Sequence, residues 1–439
     1  MKKVDVAIIG SGPACLSLAF DLKSAGKTVA VAEENLWGGT CPNRGCDPKK
    51  ILMAAEEARG KIQHLVGKGF REVPAIDWSE LMAFKKTYTD PISPDRIKGF
   101  EESGIDHYQG RAVLKDAHTI QIGTEELTAE TIILATGQRA RLLDIPGKEH
   151  FLTSTDFLAL AELPKKIVFL GAGYISFELA AIANVCGAEV TIVHHNATPL
   201  RGFDQELAEK LVTQLQAAGI HFRYNEQTES LEKTATGFRL KTDQATYEVG
   251  AVVCATGRIA NVDGLGLTAL GIEHSAKGVV VDEYLRTTQP HIFAMGDCIA
   301  KKEPKMTPVA GFEGRYLSQY FAGNTEPIHY PQVPTAVFTV PTLAQVGITR
   351  QTAEQSEEYT ISSVDMTSWY NYFRTNDPAA FATIIKDQAG NIVGAATLNE
   401  KADEWINLMT MIINLKVPTE KINQLIMAYP SVGSDLQYY

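Results

Sequence analysis

The sequence predicts an α/β chain: two doubly wound units in tandem, closed by a smaller α+β domain. Three observations carry this. Residues 4–9 form a short apolar run rich in β-branched residues, followed by Gly10-Ser11-Gly12-Pro13-Ala14-Cys15 and a helical stretch. Residues 167–170 repeat the device, with Gly171-Ala172-Gly173-Tyr174 after them. From Pro331 the pattern changes to strand-like segments alternating with short helices. A short apolar run rich in β-branched residues reads as a strand, and a strand entering a glycine turn and a helix reads as the start of a βαβ unit.

In the first unit the helical stretch ends at Ala25-Gly26, and a second strand over residues 28–32 leads into Glu33-Glu34. Gly10 makes the tight turn. Gly12 lets backbone N–H groups approach a pyrophosphate at the helix N-terminus, and an acid at the next strand end holds a ribose hydroxyl. Cys15 stands at the third small position, where Gly or Ala is usual. Glu33 is the better ribose acid because it ends the strand. Residues 55–105 mix helical periodicity with loops, and residues 113–133 read as a small antiparallel excursion. That excursion ends in Thr131-Ile132-Ile133-Leu134-Ala135-Thr136-Gly137, a buried strand running into a glycine turn.

The second unit differs at its strand end. Residues 189–193 lead into His194-His195-Asn196, without an acid, and Arg201 follows. An acid there suits the free 2′-hydroxyl of NAD. A histidine pair and an arginine favour the 2′-phosphate of NADP. NADPH is therefore the expected donor, with NADH as the alternative. Val252-Val253-Cys254-Ala255-Thr256-Gly257-Arg258 closes this unit as Ala135-Thr136-Gly137 precedes it. Two Rossmann-like dinucleotide-binding domains imply two nucleotides, one flavin and one nicotinamide. Residues 292–297 form an apolar strand ending in Gly296-Asp297, and Gly311-Phe312-Glu313-Gly314-Arg315 is expected to open a helix. In the last hundred residues, strands are expected at 337–340, 359–364, 380–386 and 392–398, with helices near 349–356, 401–414 and 418–427.

The chemistry centres on Gly38-Gly39-Thr40-Cys41-Pro42-Asn43-Arg44-Gly45-Cys46-Asp47-Pro48-Lys49-Lys50. Two cysteines separated by four residues precede a run of strong helix formers. Cys46 is thus expected near a helix N-terminus, where the macrodipole and free N–H groups favour a thiolate. In a reducing compartment such a pair is redox-active rather than structural. Cys15, Cys186, Cys254 and Cys298 read as small buried hydrophobes.

Composition bounds the function. Of 439 residues, 45% are hydrophobic and 21% charged, ordinary for a globular chain with room for several domains. A formal charge of -11 argues against nucleic acid or an anionic membrane as the main partner. No apolar run reaches transmembrane length, and no Cys/His cluster has zinc spacing. Met1-Lys2-Lys3 before apolar residues has the outline of a signal peptide, but Asp5 interrupts the run and Gly10 ends it. A cytoplasmic protein is expected.

Jointly these motifs resemble the class I flavoprotein disulfide reductases, the group of glutathione reductase, dihydrolipoamide dehydrogenase and mercuric reductase, along essentially the whole chain. The resemblance implies FAD binding by residues 1–146 and 263–329, an inserted NAD(P) domain over 147–262, and a C-terminal dimerisation domain over 330–439. It implies a homodimer acting on a small oxidised substrate. Gly10, Gly12 and Glu33 would bind the ADP half of FAD, with Gly39, Thr40, Thr136 and Gly137 along it and Asp297 at the ribityl chain. Cys46 would be the thiol beside the flavin, giving a charge-transfer contact, and Cys41 the interchange thiol that attacks substrate. A lysine after the pair, Lys49 or Lys50, would pair with Glu178. Gly171 and Gly173 would hold the nicotinamide nucleotide's pyrophosphate, with Gly257 and Arg258 at the domain's exit and Tyr174 as a lid. His195 and Arg201 fall where NADPH-using members place 2′-phosphate ligands, and Arg315 where a substrate arginine lies.

The departures bear on substrate. Disulfide-reducing members end in His-Pro-Thr-x-x-Glu, whose His serves the interchange thiol. Here Tyr429-Pro430-Ser431-Val432-Gly433-Ser434-Asp435 stands in its place, and no His follows His329. Tyr429 is a poor base at neutral pH, so packing or hydrogen-bond donation is expected of it. Phe20 replaces the first glutathione-binding arginine, and no cysteine follows Cys298. Glutathione and mercury are demoted. A small electrophilic oxidant such as hypothiocyanous acid, whose leaving group departs readily, is favoured. The alternatives are an unidentified low-molecular-weight disulfide and a non-catalytic redox-sensing flavoprotein.

Overall fold

The computed structural model describes residues 2–439. The chain forms two compact units, each assembled from three stretches. The first comprises Met1–Lys49, Ala83–Arg141 and Arg258–Tyr330; the second comprises Lys50–Met82, Leu142–Gly257 and Pro331–Tyr439.

The first unit is built on five parallel strands in the order Asp106–Gln109, Val29–Glu33, Lys2–Ile9, Glu125–Leu134, Ile292–Ala294. Ile8 lies opposite Val31 on one side and Ile133 on the other. All three are fully buried, as a strand covered on both faces demands. The excursion is antiparallel, with Thr119–Ile122 pairing to Glu125–Leu134 and Ala112–Leu114 beyond it. Helix Pro13–Ser24 follows the first strand. It lies so close to helix Thr307–Phe321 that a Cβ at Gly314 would sit 2.4 Å from the Ala14 carbonyl oxygen. That helix opens at Thr307 rather than at Gly311, because Pro308 in its first turn starts the helix there without the loss of a helical donor.

In the second unit four parallel strands run in the order His221–Tyr224, Glu189–His194, Lys166–Leu170, Ala251–Cys254. A three-stranded antiparallel sheet, Thr228–Thr234, Gly237–Thr242 and Thr246–Val249, belongs to the same stretch. Cys186 is only half-buried, unlike Cys15, Cys254 and Cys298, because it caps the end of helix Tyr174–Val185.

The C-terminal stretch is a five-stranded antiparallel sheet, ordered Thr335–Val337, Thr342–Gly347, Ile392–Asn399, Phe381–Asp387, Tyr359–Asp365. Helix Ala402–Asn414 buries Trp405, Ile406 and Met409. The strand expected at 337–340 ends at Val337. Pro341 offers no N–H to a ladder, so the chain turns and pairs again from Thr342. The helix expected near 418–427 is a single turn, Thr419–Ile422. Beyond it Leu425 and Ile426 are exposed, and a short helix without a buried face is marginal. The helix near 349–356 is also short, Arg350–Ala353. No helix of the described residues is long and apolar enough to cross a membrane.

Candidate active site

In the first unit, the turn Gly38-Gly39 delivers the chain into helix Thr40–Arg44, and Cys46 then opens helix Cys46–His64. Asn43 Nδ2 donates to the carbonyls of Trp37 and Gly39, both at 2.9 Å, which ties the turn to the short helix. Gly45 is the joint between the cysteines. A Cβ there would lie 3.0 Å from the Thr40 carbonyl oxygen and 3.1 Å from Cys41 Cα, so any side chain would push the two cysteines apart.

The cysteines are free thiols, Cys41 half-buried and Cys46 exposed. Their protonation differs sharply. Cys46 is lowered to about 6, first by its neighbour Cys41, then by the Thr307 hydroxyl, 3.8 Å from its sulfur, and by the Lys49 charge. Proximity to Cys46, with burial and the neighbouring Asp47 carboxylate, raises Cys41 well above the ordinary thiol range. Cys46 is thus the more acidic thiol of the pair and Cys41 the less, as expected for a sulfur at a helix N-terminus. Sequence reasoning passed over Asp47 and Tyr88. The Cys41 thiol lies 3.7 Å from Asp47 Oδ1, and Tyr88 donates to Asp47 Oδ2 at 2.7 Å. In the sequence Asp47 reads as an ordinary first-turn helix acid, and nothing there links it to Tyr88.

The first fingerprint fits a dinucleotide. Helix Pro13–Ser24 has no side-chain cap at Gly12, which leaves N–H groups for a phosphate. A Cβ at Gly39 would lie 2.6 Å from Gly12 Cα, so this turn and the helix start meet as bare backbone. Glu33 is buried. Its Oε2 accepts from the Ser11 amide and hydroxyl, and its Oε1 from the Asn35 amide. Thr136 donates to the Asn261 carbonyl at 2.7 Å, Asn261 N donates to the Gly137 carbonyl, and Arg258 reaches the Gln138 carbonyl. Asp297 lies in the 3-10 turn Gly296–Cys298, with Oδ1 buried and lacking a partner among the described residues. Burial raises its carboxyl, while Lys301, Arg258 and Lys305 oppose that rise. An acceptor left open in this way suits a ligand hydroxyl. The turn is anchored by buried Glu313, which accepts from the Gly296 amide, Lys301 and the Tyr330 hydroxyl. Breaking a buried pair of this kind costs roughly 3–5 kcal/mol.

Phe20 stacks on Phe100 in the core of this unit, and Asp21 accepts from Ser318. Arg315 is exposed on helix Thr307–Phe321.

The second unit carries the other fingerprint. Gly171 and Gly173 lead to helix Tyr174–Val185, whose N-terminus also lacks a side-chain cap, and Gly257 ends the closing turn. Buried Ser176 Oγ and His194 Nδ1 lack partners among the described residues. Leu200 N donates to the Ala172 carbonyl at 2.8 Å, which draws the loop before Arg201 onto the glycine turn. His195 and Arg201 are both exposed. These open donors fit a second phosphate-bearing nucleotide. Tyr174, the first residue of the helix, is 44% exposed, whereas Glu178 one turn on is buried. Glu178 accepts from Phe338 N at 2.9 Å, and the Lys50 ammonium stands over the Phe338 ring. Glu178 and Lys50 thus both meet Phe338. Tyr429 does not fill a core. It is 67% exposed and stacks on Tyr370, with ring centroids 5.9 Å apart. Its loop neighbour Asp435 is buried and held by Asn371 instead.

Two cradles of this kind in one chain, with a thiolate–thiol pair at a helix start, define a two-nucleotide redox flavoprotein. Comparison with known proteins agrees and goes further: the chain belongs to the pyridine nucleotide-disulphide oxidoreductase family, which it matches over residues 4–314, with that family's dimerisation domain over residues 333–438. It is 30% identical to a glutathione reductase of Burkholderia cepacia, over 98% of this chain and 97% of that one. It is 28% identical to a dihydrolipoyl dehydrogenase of Bacillus subtilis, over 98% and 94%. Among solved structures it resembles the HOCl-induced flavoprotein disulfide reductase RclA from Escherichia coli, with a TM-score of 0.90, 26% identity, and coverage of 99% and 98%. The chain is an NAD(P)H-dependent, FAD-dependent oxidoreductase.

Proposed function

We propose that this chain uses NADPH to reduce a small electrophilic oxidant of the hypothiocyanous acid type at the Cys41–Cys46 pair. The observation that carries the reading is the combination of a polarised dithiol with an exposed tyrosine, Tyr429, at the family's histidine position. A family relative induced by HOCl supports the same direction.

Bound FAD supplies the two-electron exchange between nicotinamide and dithiol. The chain's own residues do the rest. His195 and Arg201 hold the 2′-phosphate, and Tyr174 moves aside for the nicotinamide. Lys50 and Glu178 form the charged pair. Gly10, Gly12, Gly39, Thr40, Thr136, Gly137, Glu33 and Asp297 hold the flavin nucleotide, Gly171 and Gly173 the nicotinamide nucleotide, and Gly257 and Arg258 end the inserted domain. Cys41 attacks the substrate, and the Cys46 thiolate then closes the disulfide, releasing the reduced product. Arg315 lies ready for an anionic substrate. The working form is a homodimer. Phe373, Leu415, Leu425, Ile426 and Tyr429, all more than half exposed in the C-terminal stretch, support this.

The missing histidine's general acid–base help is worth roughly 10²–10⁴-fold, and the high-pKa alkyl thiolate that glutathione disulfide must expel depends on it most. The test is steady-state NADPH oxidation with hypothiocyanous acid beside glutathione disulfide. A kcat/KM ratio of about 10² or more in favour of the oxidant is expected. Comparable values would overturn the substrate assignment.

A further inference from the structure

We infer that Asp47, held by Tyr88, carries the proton of Cys41 to the small leaving group of the oxidant during substrate reduction. This rests on the reading above that Cys41 is the attacking thiol. The geometry is specific. The two carboxylate oxygens face different partners: Oδ1 takes the Cys41 thiol at 3.7 Å and Oδ2 the Tyr88 hydroxyl at 2.7 Å. Asp47 sits in the first turn of the helix that Cys46 opens, and Tyr88 comes from helix Trp78–Thr89. The acid therefore touches the reacting sulfur itself, and Tyr88 is its positioning residue.

An ordinary helix-start acid would stabilise the helix dipole and point to solvent. Asp47 instead raises both thiols, an unhelpful placement if its only task were to favour thiolates. It is useful if the proton must be kept at Cys41 and passed on. Other charged and titratable groups facing this cluster are Cys46, Lys49 and Arg96, the last acting on Tyr88.

With hypothiocyanous acid the step balances as follows. The Cys41 thiol proton passes to the Asp47 carboxylate as the sulfur bonds to the substrate sulfur. The sulfur–oxygen bond breaks, and Asp47 gives its proton to the departing hydroxide, so water leaves. The Cys46 thiolate attacks the Cys41 sulfur and expels thiocyanate. The cysteine pair is oxidised by two electrons, the substrate is reduced by two, and Asp47 ends as the carboxylate it began as. A carboxylate is a weak base toward a thiol, so the two proton movements are concerted with bond making and breaking. The leaving oxygen's need for a proton drives the transfer.

The experiment compares two reagents on holoenzyme first reduced by two electrons, wild type beside Asp47→Asn and Tyr88→Phe. Iodoacetamide releases iodide, which needs no proton, and its reaction is followed on the Cys41 peptide by mass spectrometry across pH. Hypothiocyanous acid is followed by stopped-flow reoxidation. In Asp47→Asn the alkylation midpoint of Cys41 falls and alkylation at neutral pH quickens, while reoxidation slows by about 10²-fold. In Tyr88→Phe the midpoint rises, because the carboxylate loses a donor. An unmoved midpoint, unchanged reoxidation, or both reactions slowing together in Asp47→Asn would overturn the inference. If the wild type ignores hypothiocyanous acid, an alkyl disulfide, whose leaving thiolate takes up a proton, replaces it. A slowed Asp47→Asn with that probe would retire the substrate reading and keep Asp47.

Discussion

The two glycine turns share one backbone device and differ at the strand end. The first unit closes its strand with Glu33, a buried acid whose oxygens already hold the Ser11 and Asn35 backbone amides. The second closes with His194 and His195, where a buried ring nitrogen has no partner among the described residues and Arg201 stands exposed close by. The phosphate cradle is thus generic, and on the reading proposed above the residue one strand away decides which nucleotide it serves. In the first unit that residue is also part of the fold, so structure and recognition are joined there. In the second they are separable.

The comparison breaks hardest at the dithiol the two nucleotides serve. In enzyme reduced by two electrons, a long-wavelength thiolate band is expected. Cys46→Ser should abolish it and Cys41→Ser should keep it. Because Cys46 is lowered to about 6, the wild-type band should persist above that pH and fade as pH falls through it. A band that survives Cys46→Ser would reassign the thiolate.

Next in size is Glu33→Ala. Three donated bonds lose their acceptor, each unsatisfied buried group costing about 1–3 kcal/mol. FAD content and thermal stability should fall together. If stability holds while only FAD is lost, Glu33 serves recognition alone.

The matching change in the second unit, His195→Ala with Arg201→Ala, should leave stability intact and raise KM for NADPH by roughly 10–100-fold, the worth of one charge-assisted hydrogen bond. KM for NADH should move little. An equal rise for both donors would remove the basis for the 2′-phosphate assignment.

Per pH unit the smallest effect, and one that sharpens the contrast between buried acids, falls on Glu56. Glu33 has its partners, whereas Glu56 is buried with Oε2 lacking one among the described residues. Burial raises Glu56 to about 8 against a single bond from the Val340 amide. A raised carboxyl binds its proton more tightly folded than unfolded, so wild-type stability should decline as pH rises from about 4.5 to 8. The slope is at most about 1.4 kcal/mol per pH unit. Glu56→Gln should flatten that slope, as denaturant titrations at several pH values would reveal.

Both fingerprints, the cysteine motif and the parallel strands were legible because each rests on local chemistry: apolar runs, glycine turns and helix-forming residues. The start of helix Thr307–Phe321 was less so, since Gly311-Phe312-Glu313 looked like its opening while Pro308 set it. The break at Pro341 and the single turn after Pro418 depend on pairing and burial partners distant in sequence. Of the site, the cysteines and glycines could be read directly. Asp47 with Tyr88, and Lys50 beside Phe338, needed three dimensions, because a hydrogen bond across forty-one residues leaves no periodic trace.

The ion pair of Lys301 with Glu313 has a consequence for ionic strength. Its side chains are 4% and 0% exposed, so dissolved ions cannot enter between them. Screening acts on exposed charges, over about 10 Å at 0.1 M salt. Surface pairs such as Lys166 with Glu189 should therefore weaken in brine. The turn that presents Asp297 is moored to the sheltered pair, so the protein's grip on the flavin should be nearly indifferent to salt.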